Sequence, residues 1–121
     1  MKIEIEGELP SLNEIIDAAK SHWSSYREMK ETNTSIVAWT AKRLPCIERT
    51  KKIDVTIIWY CKDKRRDKDN IMAGQKFIFD GLKEAGIIEN DGWKQIGDVT
   101  HRFRVDRKNP RIEIEIEEVL T

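Results

Sequence analysis

The sequence predicts an α+β fold: a small mixed β-sheet of about four strands with helices packed on it, in the order strand, helices, strand, helix, strand, strand. Three observations predict it. Residues 2–6 (K-I-E-I-E) and 111–117 (R-I-E-I-E-I-E) alternate strictly between isoleucine and charge, which puts the isoleucines on one face of a strand and the charges on the other. Residues 53–61 (I-D-V-T-I-I-W-Y-C) are dense in β-branched and aromatic types, as suits a central strand. Between these segments the apolar residues recur at intervals of three and four, the helical period.

The elements follow in order. Gly7 to Pro10 end the first strand. Ser11 is placed to cap a helix, with Glu14 three residues on to complete a capping box. Leu12, Ile15, Ile16 and Ala19 then fall on one helical stripe. A second stripe, Ile36, Val37, Trp39 (or Thr40), Ala41 and Leu44, stops before Pro45. Residues 11–44 are therefore expected to be mostly helical, with a break around 31–34, where Thr32, Asn33 and Thr34 are poor helix formers. After the strand 53–61 and a charged loop, Asp69 or Asn70 is expected to cap a helix over about 70–85, carrying Ile71, Ile78, Leu82 and Ala85 inward and ending at Gly86. Asn90-Asp91-Gly92 is a turn. Residues 95–106 have strand character, and Asn109-Pro110 turns the chain into the final strand. Trp39 and Trp59 lie on apolar patterns and are expected in the core. Trp23 and Trp93 are candidates to stack on a base.

The chain of 121 residues is one domain, 1–121, long enough to bury a core. No apolar run approaches the roughly 20 residues of a membrane span. Residues 2–6 already alternate charge with isoleucine, which is not a signal-peptide pattern. Two cysteines, Cys46 and Cys61, are too few for a disulfide framework or a four-thiolate zinc site, so reduced thiols in a cytoplasmic protein are expected. Formal net charge is zero, but the charge is unevenly spread: residues 62–68 are basic and both ends are acid-rich. Such a chain can still present one cationic face.

The chemistry concentrates between Lys62 and Gly92. Lys62, Lys64, Arg65, Arg66 and Lys68 are interleaved with Asp63, Asp67 and Asp69. Cations in this density suit a polyanion, and acids among them suit a divalent metal held against it. Asp67 and Asp69 are two apart in a segment leaving a strand; in extended backbone both carboxylates point the same way, with Cα atoms about 6–7 Å apart. Asp91 arrives from a separate turn. Three carboxylates from two loops fit a hard cation for phosphodiester hydrolysis. Asp69, Met72, Lys76 and Asp80 share one helix face, and Lys76 leans back toward the acids, where it can stabilise charge building on a phosphate.

Plainer readings stand beside these. A D-x-D is commonly a solvated loop, Asp69 a helix cap, Asp91 a turn residue, and a cation run a solvated surface. Lys76 can simply pair with Asp80 at i+4. Other motifs fail. An EF-hand begun at Asp67 meets Ile71 and Met72 where a ligand and glycine are needed. Gly81–Gly86 has P-loop spacing but is followed by Ile87 and Ile88. His22 and His101 form no H-E-x-x-H, and a Cys-His nucleophile (Cys46 or Cys61 with His101) is supported by residue types alone.

At these residues the chain resembles the RusA family of Holliday junction resolvases, in the variant found in phages of Gram-positive bacteria. The resemblance rests on R-R-D-K-D-N at 65–70, K-F-I-F-D-G-L at 76–82, A-G-I-I-E-N-D at 85–91 and the N-terminal L-P-S-L-N-E at 9–14. The family pattern matches at Asp67, Asp69, Asn70, Lys76, Asp80 and Asp91. It departs in two places. Three extra residues, placed within 71–75, precede Lys76, so that Ala73 stands where a direct count puts the lysine. Asn90 replaces an acid that some members carry.

The resemblance implies a homodimeric endodeoxyribonuclease that uses Mg2+, with Mn2+ as a substitute, to resolve four-way DNA junctions by symmetric paired nicks. It implies catalysis by Asp67, Asp69, Asp91 and Lys76, metal binding by the three aspartates, and supporting roles for Asn70 and Asp80. Lys62, Lys64, Arg65, Arg66 and Lys68 are the expected DNA contacts, extended by Arg27, Lys30, Lys42 and Arg43. The aromatic-rich N-terminal helical region is the candidate dimer surface. Two other functions remain open at this level: a non-catalytic DNA-binding protein, and a metal-dependent hydrolase of another phosphate ester.

Overall fold

The computed structural model describes residues 1–44 and 51–119. In chain order the elements are β1 (Lys2–Glu6), α1 (Leu12–Ser21), α2 (Trp23–Ala41), β2 (Ile53–Cys61), α3 (Lys68–Met72), α4 (Gln75–Glu84), β3 (Ile96–Val105) and β4 (Arg111–Glu118). The four strands form one mixed sheet in the order β1-β4-β2-β3. β4 runs antiparallel to both β1 and β2, whereas β3 runs parallel to β2. A parallel pair needs a crossover rather than a hairpin, and the α3–α4 segment supplies it.

The alternation seen in the sequence becomes rows of side chains across one face of the sheet. Ile5, Ile112, Trp59 and Phe103 are successive register partners, as are Ile3, Ile114, Ile57 and His101. The isoleucines and Trp59 are buried, and Val37 and Ala41 of α2 with Phe77, Ile78 and Leu82 of α4 close over them. The opposite face is charged, and there the expected wet surface is partly corrected. Glu113 is buried because Lys2 and Arg111 reach its carboxylate, both at 2.9 Å. These two cations hold its carboxyl below the usual range, that of Lys2 first.

The helical expectations need three corrections. The break in the N-terminal helical region lies at His22, not at 31–34. His22 is extended (φ −154°, ψ 146°), and its Nδ1 accepts the Ser24 N–H at 3.2 Å, capping α2. Thr32, Asn33 and Thr34 lie inside α2, where Asn33 Nδ2 donates to the Met29 carbonyl at 2.8 Å. Trp39 is not in the core but 68% exposed, because α2 turns the small residues Ala38 and Ala41, with Val37, toward α4. The expected helix over 70–85 is two helices separated at Ala73–Gly74, and the N-cap of the first is Asp67, not Asp69 or Asn70.

Other local signals hold. Ser11 and Glu14 form the capping box reciprocally. Gly86 takes the left-handed conformation (φ 79°) that ends α4. The Ile87 N–H reaches the Leu82 carbonyl and the Gly86 N–H that of Lys83, a Schellman closure that needs glycine's freedom.

Candidate active site on the β2–α3 loop

The basic run leaves the end of β2, and its residues have unlike fates. Asp63 Oδ1 accepts the Arg65 N–H at 3.0 Å and sets the turn, while the Arg65 side chain stays open to solvent. Arg66 points inward. One of its guanidinium nitrogens donates to Glu8 at 2.8 Å and another to the Leu9 carbonyl at 3.3 Å. Four residues on, Asn70 Oδ1 accepts the Asn13 N–H at 3.0 Å. The segment 8–13 is thereby tied to both ends of the R-R-D-K-D-N stretch. A charge-assisted pair and a hydrogen bond from outside the loop hold the two aspartates between them.

Asp67 is extended (φ −70°, ψ 157°), but the helix begins at Lys68, so Asp69 lies in a helical turn rather than in continued strand. The two carboxylates nevertheless line one open cavity of about 900 Å³. Asp67 makes no side-chain capping bond, which leaves its oxygens available. Lys64, Arg66, Lys68 and Arg104 stand around the same cavity, and Cys61, Ile71, Phe103 and Val105 supply its apolar part.

Asp91 is placed elsewhere. It lines a second cavity of about 480 Å³ with Met72, Ala73, Gln75, Lys76 and Phe79, and its carboxylate is 3.9 Å from Lys83 Nζ. The structure therefore brings Asp67 with Asp69, and Asp91 with Lys76, in neighbouring cavities that share α3: Asp69 near its start faces the first and Met72 at its end the second. Among the described residues no three His, Cys, Asp or Glu side chains come together as a metal cluster. The donor chemistry of the first cavity still fits a hard divalent cation, since Asp67 and Asp69 are exposed carboxylates with room for water ligands.

Lys76 is anchored by Asp80. Asp80 Oδ2 lies 3.7 Å from Lys76 Nζ and 3.9 Å from Lys30 Nζ of α2. That oxygen is shut off from water and accepts no hydrogen bond among the described residues. The two ammonium groups are what compensate its charge, so both are drawn to one buried carboxylate.

The charge run did not announce five contributors. Phe103 and Arg104 reach the cavity from β3; the basic–aromatic alternation H-R-F-R-V was the available signal. Glu8 and Asn13 act through the chain's return from β1, which no local pattern reveals. His101 accepts the Trp59 indole N–H on Nδ1 at 2.9 Å and lies 2.7 Å from Gln75 Oε1 through Nε2. That pairing places its proton on Nε2. Burial lowers its pKa. A Cys61–His101 nucleophile pair is not formed: burial pushes the Cys61 thiol up against the pull of Arg66, its S–H faces the Trp59 carbonyl, and both nitrogens of His101 are engaged. Cys46, the other half of that alternative, lies outside the described residues.

The family described as endodeoxyribonuclease RusA matches residues 10–117. This chain belongs to the RusA family. The match spans the capping box, the basic loop, both helices of the crossover and all but the last residue of β4. A search of curated proteins finds no significant match. RusA proteins are endodeoxyribonucleases that resolve Holliday junctions, and they are generally dependent on a divalent metal. No helix among the described residues is long and apolar enough to cross a membrane.

Proposed function

We propose that this RusA protein is a homodimeric, Mg2+-dependent resolvase, with Mn2+ able to substitute, that nicks two strands of a four-way junction symmetrically. The observation that carries the reading is the shared cavity: two exposed carboxylates, Asp67 and Asp69, ringed by cations and lying inside the family match. Asp67 and Asp69 are the proposed metal ligands, joined by Asp91 from the adjoining turn. When bound, the ion supplies polarisation of the scissile phosphate and a lowered pKa for the attacking water.

The remaining roles belong to the chain's own residues. Lys62, Lys64, Arg65 and Lys68 hold the phosphate backbone, and Arg66 contributes by fixing the loop that carries them. Lys76, steadied by Asp80, offsets negative charge at the reacting phosphate. Asn70 holds α3 against α1. The dimer follows from symmetry: two equivalent nicks across a two-fold junction call for two sites related by a two-fold axis. Exposed Ile36 and Trp39, three apart on α2, support the N-terminal helical region as the face between protomers.

The test is cleavage of a synthetic immobile four-way junction with and without Mg2+, beside a linear duplex of the same sequence. Paired nicks on the junction alone, appearing only with metal, are expected. Salt-sensitive binding that never leads to cutting with any divalent ion would overturn the proposal in favour of a DNA-binding protein.

A further inference from the structure

The cavity that holds Asp67 and Asp69 is not lined by charge alone. Phe103 and Val105 reach it from β3 and Ile71 from α3. Val105 is 49% exposed at the end of its strand. Phosphate contacts do not require such a surface. The Phe103 ring is set firmly: it lies nearly parallel to His101 (16°, centroids 6.3 Å apart), and His101 in turn is nearly parallel to Trp59 (7°, 6.0 Å). That ladder is pinned by the Trp59–His101–Gln75 hydrogen bonds. Over the Phe103 ring, 5.5 Å from its centroid, sits the ammonium of Lys68. Lys68 is exposed on a flexible stem, so its head group can leave the ring for a phosphate while a flat apolar group takes its place.

We propose that Phe103 is the stacking platform for one unstacked nucleobase of the DNA, next to the carboxylates, and that Arg104 beside it reads that base's edge. This rests on the nuclease reading above and names what that site recognises. A paired base inside a duplex cannot present its face to a side chain, whereas a base at a branch point has already lost part of its stacking and leaves at least cost. Stacking on an aromatic tolerates any base. Arg104 is exposed at the cavity, and one of its guanidinium nitrogens is held by the Phe103 carbonyl at 2.9 Å. Its remaining N–H donors are the groups that tell one base edge from another. The cavity, about 900 Å³, lies within the range of small-ligand pockets, and its cationic rim favours a nucleotide over an uncharged aromatic.

Two readouts test it. 2-Aminopurine is placed in turn at each nucleotide flanking the crossover of an immobile junction, bound with Ca2+ in place of Mg2+. Its emission should rise severalfold at one position with the wild-type protein, stay flat with Phe103→Ala, and rise again with Phe103→Tyr. Cleavage is then compared across junctions that differ in the dinucleotide at the crossover. Because the stack is what presents the base edge to Arg104, Phe103→Ala should narrow the best-to-worst rate ratio by about tenfold, the size of one lost base-edge contact, and Phe103→Tyr should restore it. No rise at any position with wild type, or an unchanged ratio in a folded Phe103→Ala protein, would overturn the proposal. A wild-type protein that cuts no junction refutes the nuclease reading instead, and the emission arm still decides the base site.

Discussion

Gly81→Ala tests the packing that sets the site's second half. Gly81 lies in α4 where α2 crosses it. A methyl group there would stand 2.5 Å from both Cβ and Cγ1 of Val37, and 3.0 Å from the Ala38 backbone nitrogen. Non-bonded carbons settle at about 3.5–4.0 Å, so α2 and α4 must part by roughly an ångström. Val37 cannot swing aside: it is wholly buried, and a β-branched side chain in a helix has one strongly favoured rotamer. Alanine gains about 1 kcal/mol over glycine in helix propensity. Overpacking of this kind costs about 1–3 kcal/mol, and the nearby backbone puts this site at or beyond the upper end. The expected net loss is therefore about 2 kcal/mol or more, a fall in Tm of roughly 8 °C or more for a chain of this length. Calorimetry and urea titration measure it. Cleavage per folded molecule should change little, because the Lys76–Asp80 pair is internal to α4, whereas the Lys30–Asp80 contact spans the widened gap. A Gly81→Ala protein as stable as wild type would refute the close crossing and, with it, the explanation of why Trp39 faces outward.

Asp67→Asn should lower junction cleavage beyond the roughly 10–100-fold typical of changes around a metal site, with junction binding equal or tighter because a negative charge beside the phosphate is gone; normal cutting would remove Asp67 from the ligand set. Arg66→Gln and Lys64→Gln should separate by assay. The first strands the partly buried Glu8 carboxylate and lowers stability by about 1 kcal/mol, discounted for partial exposure. The second leaves stability alone and reduces the salt slope of DNA binding by about one. A matching change in salt slope for both would show that Arg66 contacts DNA directly. His101, neutral and held below its ordinary pKa of 6.5 by burial, gives a pH signature: the unfolded chain takes up the proton first, so stability is level above about pH 6.5 and falls as pH drops through that value. Nitrogen-detected NMR should find the proton on Nε2; titration above 6.5, or a proton on Nδ1, would contradict the Trp59–His101–Gln75 chain.

The strands were legible because each turns one face inward, fully buried in β1, β2 and β4 and half-buried in β3, and a period of two leaves no choice of register: shifting β4 by one residue would bury glutamates in place of isoleucines. The helices were less so, and Trp39 shows why. Helical periodicity ranks residues by size and hydrophobicity, but at the α2–α4 crossing Val37 and the Ala38 backbone sit directly on Gly81, which leaves no room for a larger side chain. The face that packs is therefore Val37, Ala38 and Ala41, and the larger Ile36 and Trp39 are turned to solvent. The break at His22 was hidden for a different reason. No glycine or proline marks it, and the cap is an imidazole nitrogen in place of the usual hydroxyl or carboxylate. At 32–34, propensity pointed to a break that side-chain bonding back into the helix and tertiary packing override.

In the site, what was contiguous was legible and what was assembled by the fold was not. Asp67 and Asp69 share a cavity, as their spacing suggested, although the backbone between them is the start of a helix and not a strand. The five cations looked equivalent in the sequence, since neighbours in a charge run carry no sign of their partners. The structure divides them by what the N-terminal segment offers. Glu8 and the Leu9 carbonyl arrive beside the loop only because β1 pairs with β4 and turns at Gly7, whose N–H is bonded to the Pro110 carbonyl at 2.9 Å. A guanidinium within reach of two acceptors is worth more inside that contact than in water, so Arg66 braces the loop and the lysines are left facing solvent. The same turn places Asn13 over Asn70. The L-P-S-L-N-E segment is thus the outer support of the aspartate-bearing loop, which gives a physical reason for two distant motifs to occur together in one chain.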